Sequence, residues 1–185
     1  MTNIHPFQHC PACGSPGLAG NGVNRFVCGQ CGFVFFHNTA AACGAILLYR
    51  GEDDHEDRIL LLVRGKEPAL GQLDFPGGFI DPGESAEHAL AREIQEEIDI
   101  HVTSLKYFWS APNQYEYRGV IYNTCDLIFL GRTSQLPYQL QESEISGYRL
   151  IRPADIDLGT IAFPSLREAL RKFIQHISSP STDNL

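Results

Sequence analysis

An α+β domain with helices laid over a largely mixed sheet is predicted by three observations. Short apolar runs at Cys43–Tyr49 and Ile59–Arg64 are separated by a polar loop, as in a hairpin. A helical repeat of apolar residues follows from about Ser85 to Ile98, and a second runs from Ser165 to Ile177. Between these helices the pattern returns to short strands, so the two element types interleave within one layered domain.

The 185 residues suit one ordinary domain plus a small appendage, and 43% hydrophobic with 19% charged content describes a folded globular chain. Three zones are expected: residues 1–37, residues 38–177 and a flexible tail at 178–185. In the central zone, Gly51–Asp57 reads as a solvated hairpin tip. Leu73–Phe75 and Phe79–Ile80 read as short strands around Pro76-Gly77-Gly78. Further strands are expected at Leu105–Ser110, Thr124–Gly131 and Gly147–Ile151. For the last helix, Ser165 and Glu168 fit a Ser-x-x-Glu capping box, and Leu166, Leu170, Phe173, Ile174 and Ile177 form its apolar face.

The net charge of −8, from 14 Lys+Arg against 22 Asp+Glu, argues against general nucleic-acid binding. It leaves room for a small phosphorylated substrate, because a bound divalent cation inverts the local charge. No apolar run approaches the ~20 residues of a membrane span, and Met1–Cys10 has no apolar signal core. The expectation is a cytoplasmic protein with no nucleic-acid and no membrane partner. A homodimer, through the first zone or the main domain, is left open.

Four of six cysteines form two Cys-x-x-Cys pairs, Cys10/Cys13 and Cys28/Cys31. In a reducing compartment such pairs favour a metal over disulfides. Each pair grips one side of a tetrahedral ion, and four protein ligands close the shell, so a structural Zn²⁺ in a small zinc ribbon is expected. His5, His9 and His37 read as surface residues before spare ligands. Cys43 and Cys125, in apolar strands, read as core.

The richest stretch runs from Gly78 through Glu84 to Ile100. On a helix, Leu90, Ile94 and Ile98 share one side, and Glu93, Glu96 and Glu97 fall within an arc of about 100° beside it. Glu93 and Glu97 are an i,i+4 like-charge pair, unfavourable by roughly 0.2–0.5 kcal/mol. A hard divalent cation, Mg²⁺ or Mn²⁺, would relieve that repulsion. The competing reading is a solvated acidic face. Glu84 and Arg92, two turns apart, are spaced for Glu84 to hold Arg92.

These residues resemble the Nudix box, Gly-x5-Glu-x7-Arg-Glu-U-x-Glu-Glu-x-Gly-U with U a bulky apolar residue. Gly78, Glu84, Arg92, Glu93, Ile94, Glu96, Glu97 and Ile100 fall on it, while Asp99 stands at the later Gly. Asp tolerates the left-handed geometry of a helix C-terminus better than most residues. The resemblance implies an α/β/α sandwich with a mixed sheet, and a Mg²⁺-dependent hydrolase of pyrophosphate bonds in nucleoside-diphosphate-linked compounds such as ADP-ribose, a nucleotide sugar or a dinucleotide. It implies Glu93, Glu96, Glu97 and the Gly77 carbonyl as Mg²⁺ ligands, Arg92 as the group that orients the glutamates, and Gly78 and Glu84 as structural positions. The base would be Glu93, or a later-loop carboxylate, for which Glu142 and Glu144 are the candidates.

A ribbon before this domain is similar to the layout of the NADH pyrophosphatases. Of that group's Ser-Gln-Pro-Trp-Pro-Phe-Pro-x-Ser motif, only Ser110 and Pro112 match. Triphosphate hydrolysis and a non-catalytic ligand sensor are the alternative functions. Tyr107, Phe108, Trp109, Tyr115, Tyr117 and Tyr122 cluster after the box. Most read as core, with at least one expected to line a substrate pocket. Arg64, Lys66, Tyr115 and Arg118 are the candidate substrate contacts.

Overall fold

The computed structural model describes residues 7–52, 55–117 and 120–179. Arg118, His5, the middle of the Gly51–Asp57 loop and most of the expected tail lie outside these residues.

The N-terminal part forms a small antiparallel sheet of β1 (Leu18–Gly20), β2 (Arg25–Cys28) and β3 (Val34–Phe36). Phe7, Phe26 and Phe35 pack against one another, with ring centroids 5.1–6.0 Å apart. His37 joins this cluster edge-on to Phe7, and its ring also meets Tyr122 of the main sheet edge-on at 5.9 Å.

The main sheet holds β4 (Ala40–Tyr49), β5 (Arg58–Arg64), β6 (Leu73–Asp74), β7 (Gly77–Phe79), β8 (Leu105–Tyr117), β9 (Val120–Thr133) and β10 (Ile145–Ile151). Its central order is β10-β5-β4-β9-β8, with β6 on β5 and β7 on β4. Among the paired strands of the described residues only the long β4–β9 pairing is parallel, so the sheet is mixed, as the sequence predicts. Strands β8 and β9 run further than their apolar cores suggest, because Tyr115, Glu116 and Tyr117 still pair with Tyr122, Ile121 and Val120 in a two-stranded arm.

Both faces of the sheet are covered, so the middles of β4 and β5, Ala45–Leu48 and Ile59–Leu62, are continuous apolar runs. On one face Ala45, Leu47, Leu60 and Leu62 pack with Leu90, Ile94 and Ile98 of α1 (Ala86–Ile98). On the other, Ile46, Leu48, Ile59 and Leu61 meet Leu166, Leu170 and Phe173 of α2 (Pro164–Ser178). The result is the α/β/α sandwich. Among the described residues no helix is long and apolar enough to cross a membrane.

Helix α1 starts at Ser85, whose hydroxyl accepts from the His88 N–H at 3.3 Å, and it ends at Asp99 in the left-handed region, φ 54°. Asp99 thus takes the geometry expected of it, and the Gln95 amide donates to its carboxylate. The capping box expected for α2 is not formed. Pro164 occupies the first helical turn and Phe163 the cap position, with no side-chain cap bond. Ser165 is buried and donates to Asp126 of β9 at 2.5 Å, a bond that holds its hydroxyl away from the helix end. Cys43 is core as expected, but Cys125 is exposed. The alternation of β9 turns Thr124 and Asp126 inward and the residue between them out.

Candidate active site

Strand β7 and helix α1 set Glu97 against Gly77 and Glu93 against Gly78, while Glu96 stays at the rim. Gly77 and Gly78 pair with Gly44 and Cys43 of β4, and φ at Gly77 is 145°, where a side chain is strained. A Cβ on Gly77 would stand 2.2 Å from the Cys43 carbonyl oxygen, and one on Gly78 would stand 2.5 Å from a Glu93 carboxylate oxygen. The two glycines therefore let the strand lie flat on β4 while Glu93 rests against its other side.

Glu97 is buried, with 6% of its surface exposed, and its Oε2 accepts the Gly77 N–H at 2.9 Å. Burial pushes its carboxyl well above the usual range. The Gly77 N–H opposes that rise, while Asp74, Glu93 and Glu144 reinforce it. Glu93 is raised as well, first by burial and then, against the pull of Arg92, by Glu96 and Glu144. Glu96 is more than half exposed at the rim.

Arg92 ties this group together. Its Nε and Nη2 donate to the two oxygens of Glu84 at 2.9 and 2.8 Å, and Nη1 reaches Glu93 at 3.0 Å and Glu96 at 3.3 Å. This bidentate clamp holds the Glu84 carboxyl down to about 2. Arg92 thus draws Glu93 and Glu96 toward itself, while Glu97 turns to β7.

Glu142 and Glu144 part ways. Glu144 is half-buried, its Oε2 lies 2.6 Å from Lys66 Nζ, and its backbone carbonyl accepts the Gly65 N–H at 2.6 Å. Its charge reaches both Glu93 and Glu97. Glu142 is exposed beside Tyr138 and Gln139. Gln141 anchors this loop through its N–H to the Glu97 carbonyl at 2.9 Å.

A pocket opens beside the carboxylates, sharing Gly77 and Gly78 with them. Tyr115 lines it together with Phe79 and Phe163, whose rings lie 5.8 and 6.0 Å from its own. Arg64 also lines it, yet its guanidinium is held by Asp74 at 2.5 Å and the Pro68 carbonyl at 2.7 Å, over the Phe163 ring. Of the other aromatics, Phe108 packs on Phe173, Tyr107 on Phe129, and Trp109 beneath Lys172. The pocket residues Asp74, Thr124, Asp126 and Phe163 were not signalled by the sequence. Ser165 and Asp126 meet across 39 residues, a distance no local pattern spans.

The cysteine quartet forms as predicted. Among the described residues, Cys10, Cys13, Cys28 and Cys31 are the one group of three or more potential ligands whose atoms all lie within 4.8 Å, and they can hold a metal ion. The Ser15 hydroxyl, 3.2 Å from Cys28 Sγ, and the backbone of Cys31 and Gln30 hold the Cys28 thiol down to about 6.

The Glu84–Arg92 clamp has a defined acid signature. Because Glu84 ionises more readily when folded, its stabilisation is full above about pH 4.5 and is lost as the pH falls toward 2. Thermal melts of wild type and Glu84→Gln should therefore differ by a constant amount near neutrality and converge in acid. A gap unchanged from pH 6 to pH 2 would show that the clamp is not what Glu84 contributes.

Comparison with known proteins places the chain in a family. A model of the NUDIX domain family matches residues 39–177. The NAD-capped RNA hydrolase NudC of Deinococcus radiodurans is 34% identical over 105 residues, 57% of this chain and 36% of its own length. The NudC of Stutzerimonas stutzeri is 30% identical over 116 residues, 60% of this chain and 40% of its own. The chain thus spans well under half the length of these curated relatives. Among solved structures, a NUDIX hydrolase from Nitrosomonas europaea superposes with a TM-score of 0.68 at 21% identity, over 96% of this chain and 97% of that one. The NUDIX domain of Shewanella oneidensis NrtR, complexed with ADP ribose, superposes at 0.58 and 23% identity, over 74% and 89%. At these identities the structural likeness is one of fold. The family match covers most of the sequence and all of its carboxylate helix: this chain belongs to the Nudix family.

Proposed function

We propose that the chain hydrolyses a pyrophosphate bond in a nucleoside-diphosphate-linked substrate with the help of Mg²⁺ or Mn²⁺. The observation that carries this reading is the burial of Glu97 against Gly77 with Glu93 against Gly78, two carboxylates on the strand that also lines the pocket. Such a pair is costly unless a cation takes up its charge. Oxygen donors from Glu93, Glu96 and Glu97, joined by the Gly77 carbonyl, would suit a hard divalent ion. When bound, Mg²⁺ neutralises the phosphate oxygens and lowers the pKa of a water.

The chain's own groups supply the rest. Arg92 holds Glu93 and Glu96 by hydrogen bonds and is itself fixed by Glu84. Glu93 and Glu144 are the bases within reach of the carboxylate cluster, and Lys66 keeps Glu144 in place. Glu142 stands away and is the weaker candidate. Tyr115 and Arg64 contribute a stacking face and a positive wall to the pocket. Lys66 would meet a phosphate only by leaving Glu144.

Within the same reading, residues 1–37 form a zinc ribbon ahead of a catalytic domain at 38–177. Tetrahedral Zn–S bonds of about 2.3 Å require sulfurs roughly 3.8 Å apart. The Cys10–Cys31 and Cys13–Cys28 separations are 3.7 and 3.8 Å. Zinc removal is expected to loosen the ribbon and leave the main domain folded. A strong chelator with mild heat should release close to one zinc per chain and erase the near-ultraviolet signal of the Phe7, Phe26 and Phe35 cluster while the main melt persists. Release of no zinc from protein prepared without chelator would contradict a zinc ribbon.

The substrate reading is tested by turnover of ADP-ribose, NADH, UDP-sugars, ATP and NAD-capped RNA with Mg²⁺. One diphosphate-linked compound should release a nucleoside monophosphate, with kcat falling about 10²–10⁴-fold in Glu144→Gln if that group is the base. Glu142→Gln should stay near wild type. Turnover confined to ATP would establish triphosphate hydrolysis, and tight binding without turnover would establish a sensor.

A further inference from the structure

The polar groups of the pocket have no counterpart in the chemistry at the carboxylate helix. Asp126 lies on its floor, 7% exposed, and in register its neighbours on the adjoining strands are Ala42 and Ala111. Small side chains on both sides leave space above the carboxylate. The Thr124 hydroxyl donates to one of its oxygens at 2.7 Å and Ser165 to the other at 2.5 Å. A carboxylate offers about four acceptor sites, so each oxygen retains a lone pair.

Two further features point to a planar ligand. Phe79, Tyr115 and Phe163 supply aromatic faces, and Gly44 thins the floor, where a Cβ would already touch Phe75 at 3.4 Å. Among the described residues the buried Arg64 Nη2 has no hydrogen-bond partner, although the rest of the guanidinium is engaged. The pocket therefore presents an acceptor at Asp126 between aromatic walls. A heterocycle carrying an N–H₂ group on its edge satisfies that acceptor.

We propose that this pocket seats the heterocycle of the substrate, and that Asp126 is a specificity-determining residue that selects one with an exocyclic amino or amide N–H over one with a carbonyl oxygen in its place. A carbonyl edge would set a lone pair against a buried carboxylate, and an unmatched buried polar group discriminates strongly. Thr124 and Ser165 act as positioning residues that fix the carboxylate. The proposal rests on the hydrolase reading for the name of its substrate, but the subsite itself is testable without turnover.

The experiment is titration calorimetry with matched monophosphates, AMP against IMP and CMP against UMP. Wild type should favour the amino member of each pair by about 10-fold or more, a difference of roughly 1.4 kcal/mol. Asp126→Asn, which places an amide donor in the same volume, should abolish or reverse that preference. Ala42→Leu, which fills the space above the carboxylate, should weaken all four nucleotides together. Equal affinities in wild type overturn the proposal, as does an Asp126→Asn that weakens both members of a pair by the same factor or an Ala42→Leu that leaves AMP binding unchanged. An amino preference in a protein that hydrolyses no diphosphate-linked compound would keep the subsite and reject the hydrolase. Equal kcat/KM on adenine and hypoxanthine substrates would do the reverse.

Discussion

The carboxylate of Glu97, held between β7 and α1 by one backbone N–H, is the constraint around which the site is arranged. Helix α1 buries Leu90, Ile94 and Ile98 against the sheet, and Glu97 lies next to that stripe where an apolar residue would be expected. To accept it, β7 gives up a ladder donor at Gly77, and Gly78 makes room for Glu93. Arg92 then balances the outer glutamates and Glu84 balances Arg92. Each adjustment is understandable only if the negative charge is wanted.

That charge is a liability for folding. A buried carboxylate without a cationic partner destabilises a domain by several kcal/mol or takes up a proton. The chain concentrates this burden at one end of the sheet, while the rest of both cores is filled with Leu, Ile and Phe. Local destabilisation at a functional site, carried by a well-packed scaffold, is the usual compromise between stability and activity.

The parts of this arrangement legible in the sequence are those that local spacing encodes. A helix fixes the relation of Arg92, Glu93, Glu96 and Glu97, a short turn before it sets Glu84, and the Cys-x-x-Cys pairs fix the cysteine quartet, so both are visible before any fold is known. Asp99 could be placed in the left-handed region for the same reason. The pocket was not legible. Asp126 and Ser165 come from different layers, and Asp126 occupies a strand position that pattern alone would fill with an apolar residue. Ser165 also shows why a local rule can mislead: the Ser-x-x-Glu signature was present, but Pro164 set the helix start one residue earlier and a buried carboxylate claimed the hydroxyl. The same inward turn of β9 that hides Asp126 exposes Cys125.

The most direct measurement is the thermal stability of wild type and Glu97→Gln near neutral pH, each across a Mg²⁺ titration. If Glu97 is a buried charge waiting for a cation, the metal-free Glu97→Gln protein melts above metal-free wild type, because burial no longer penalises a charge. Wild type then gains stability steadily with Mg²⁺ and the variant gains far less. A variant that melts lower without metal, or that responds to Mg²⁺ as wild type does, would contradict the account.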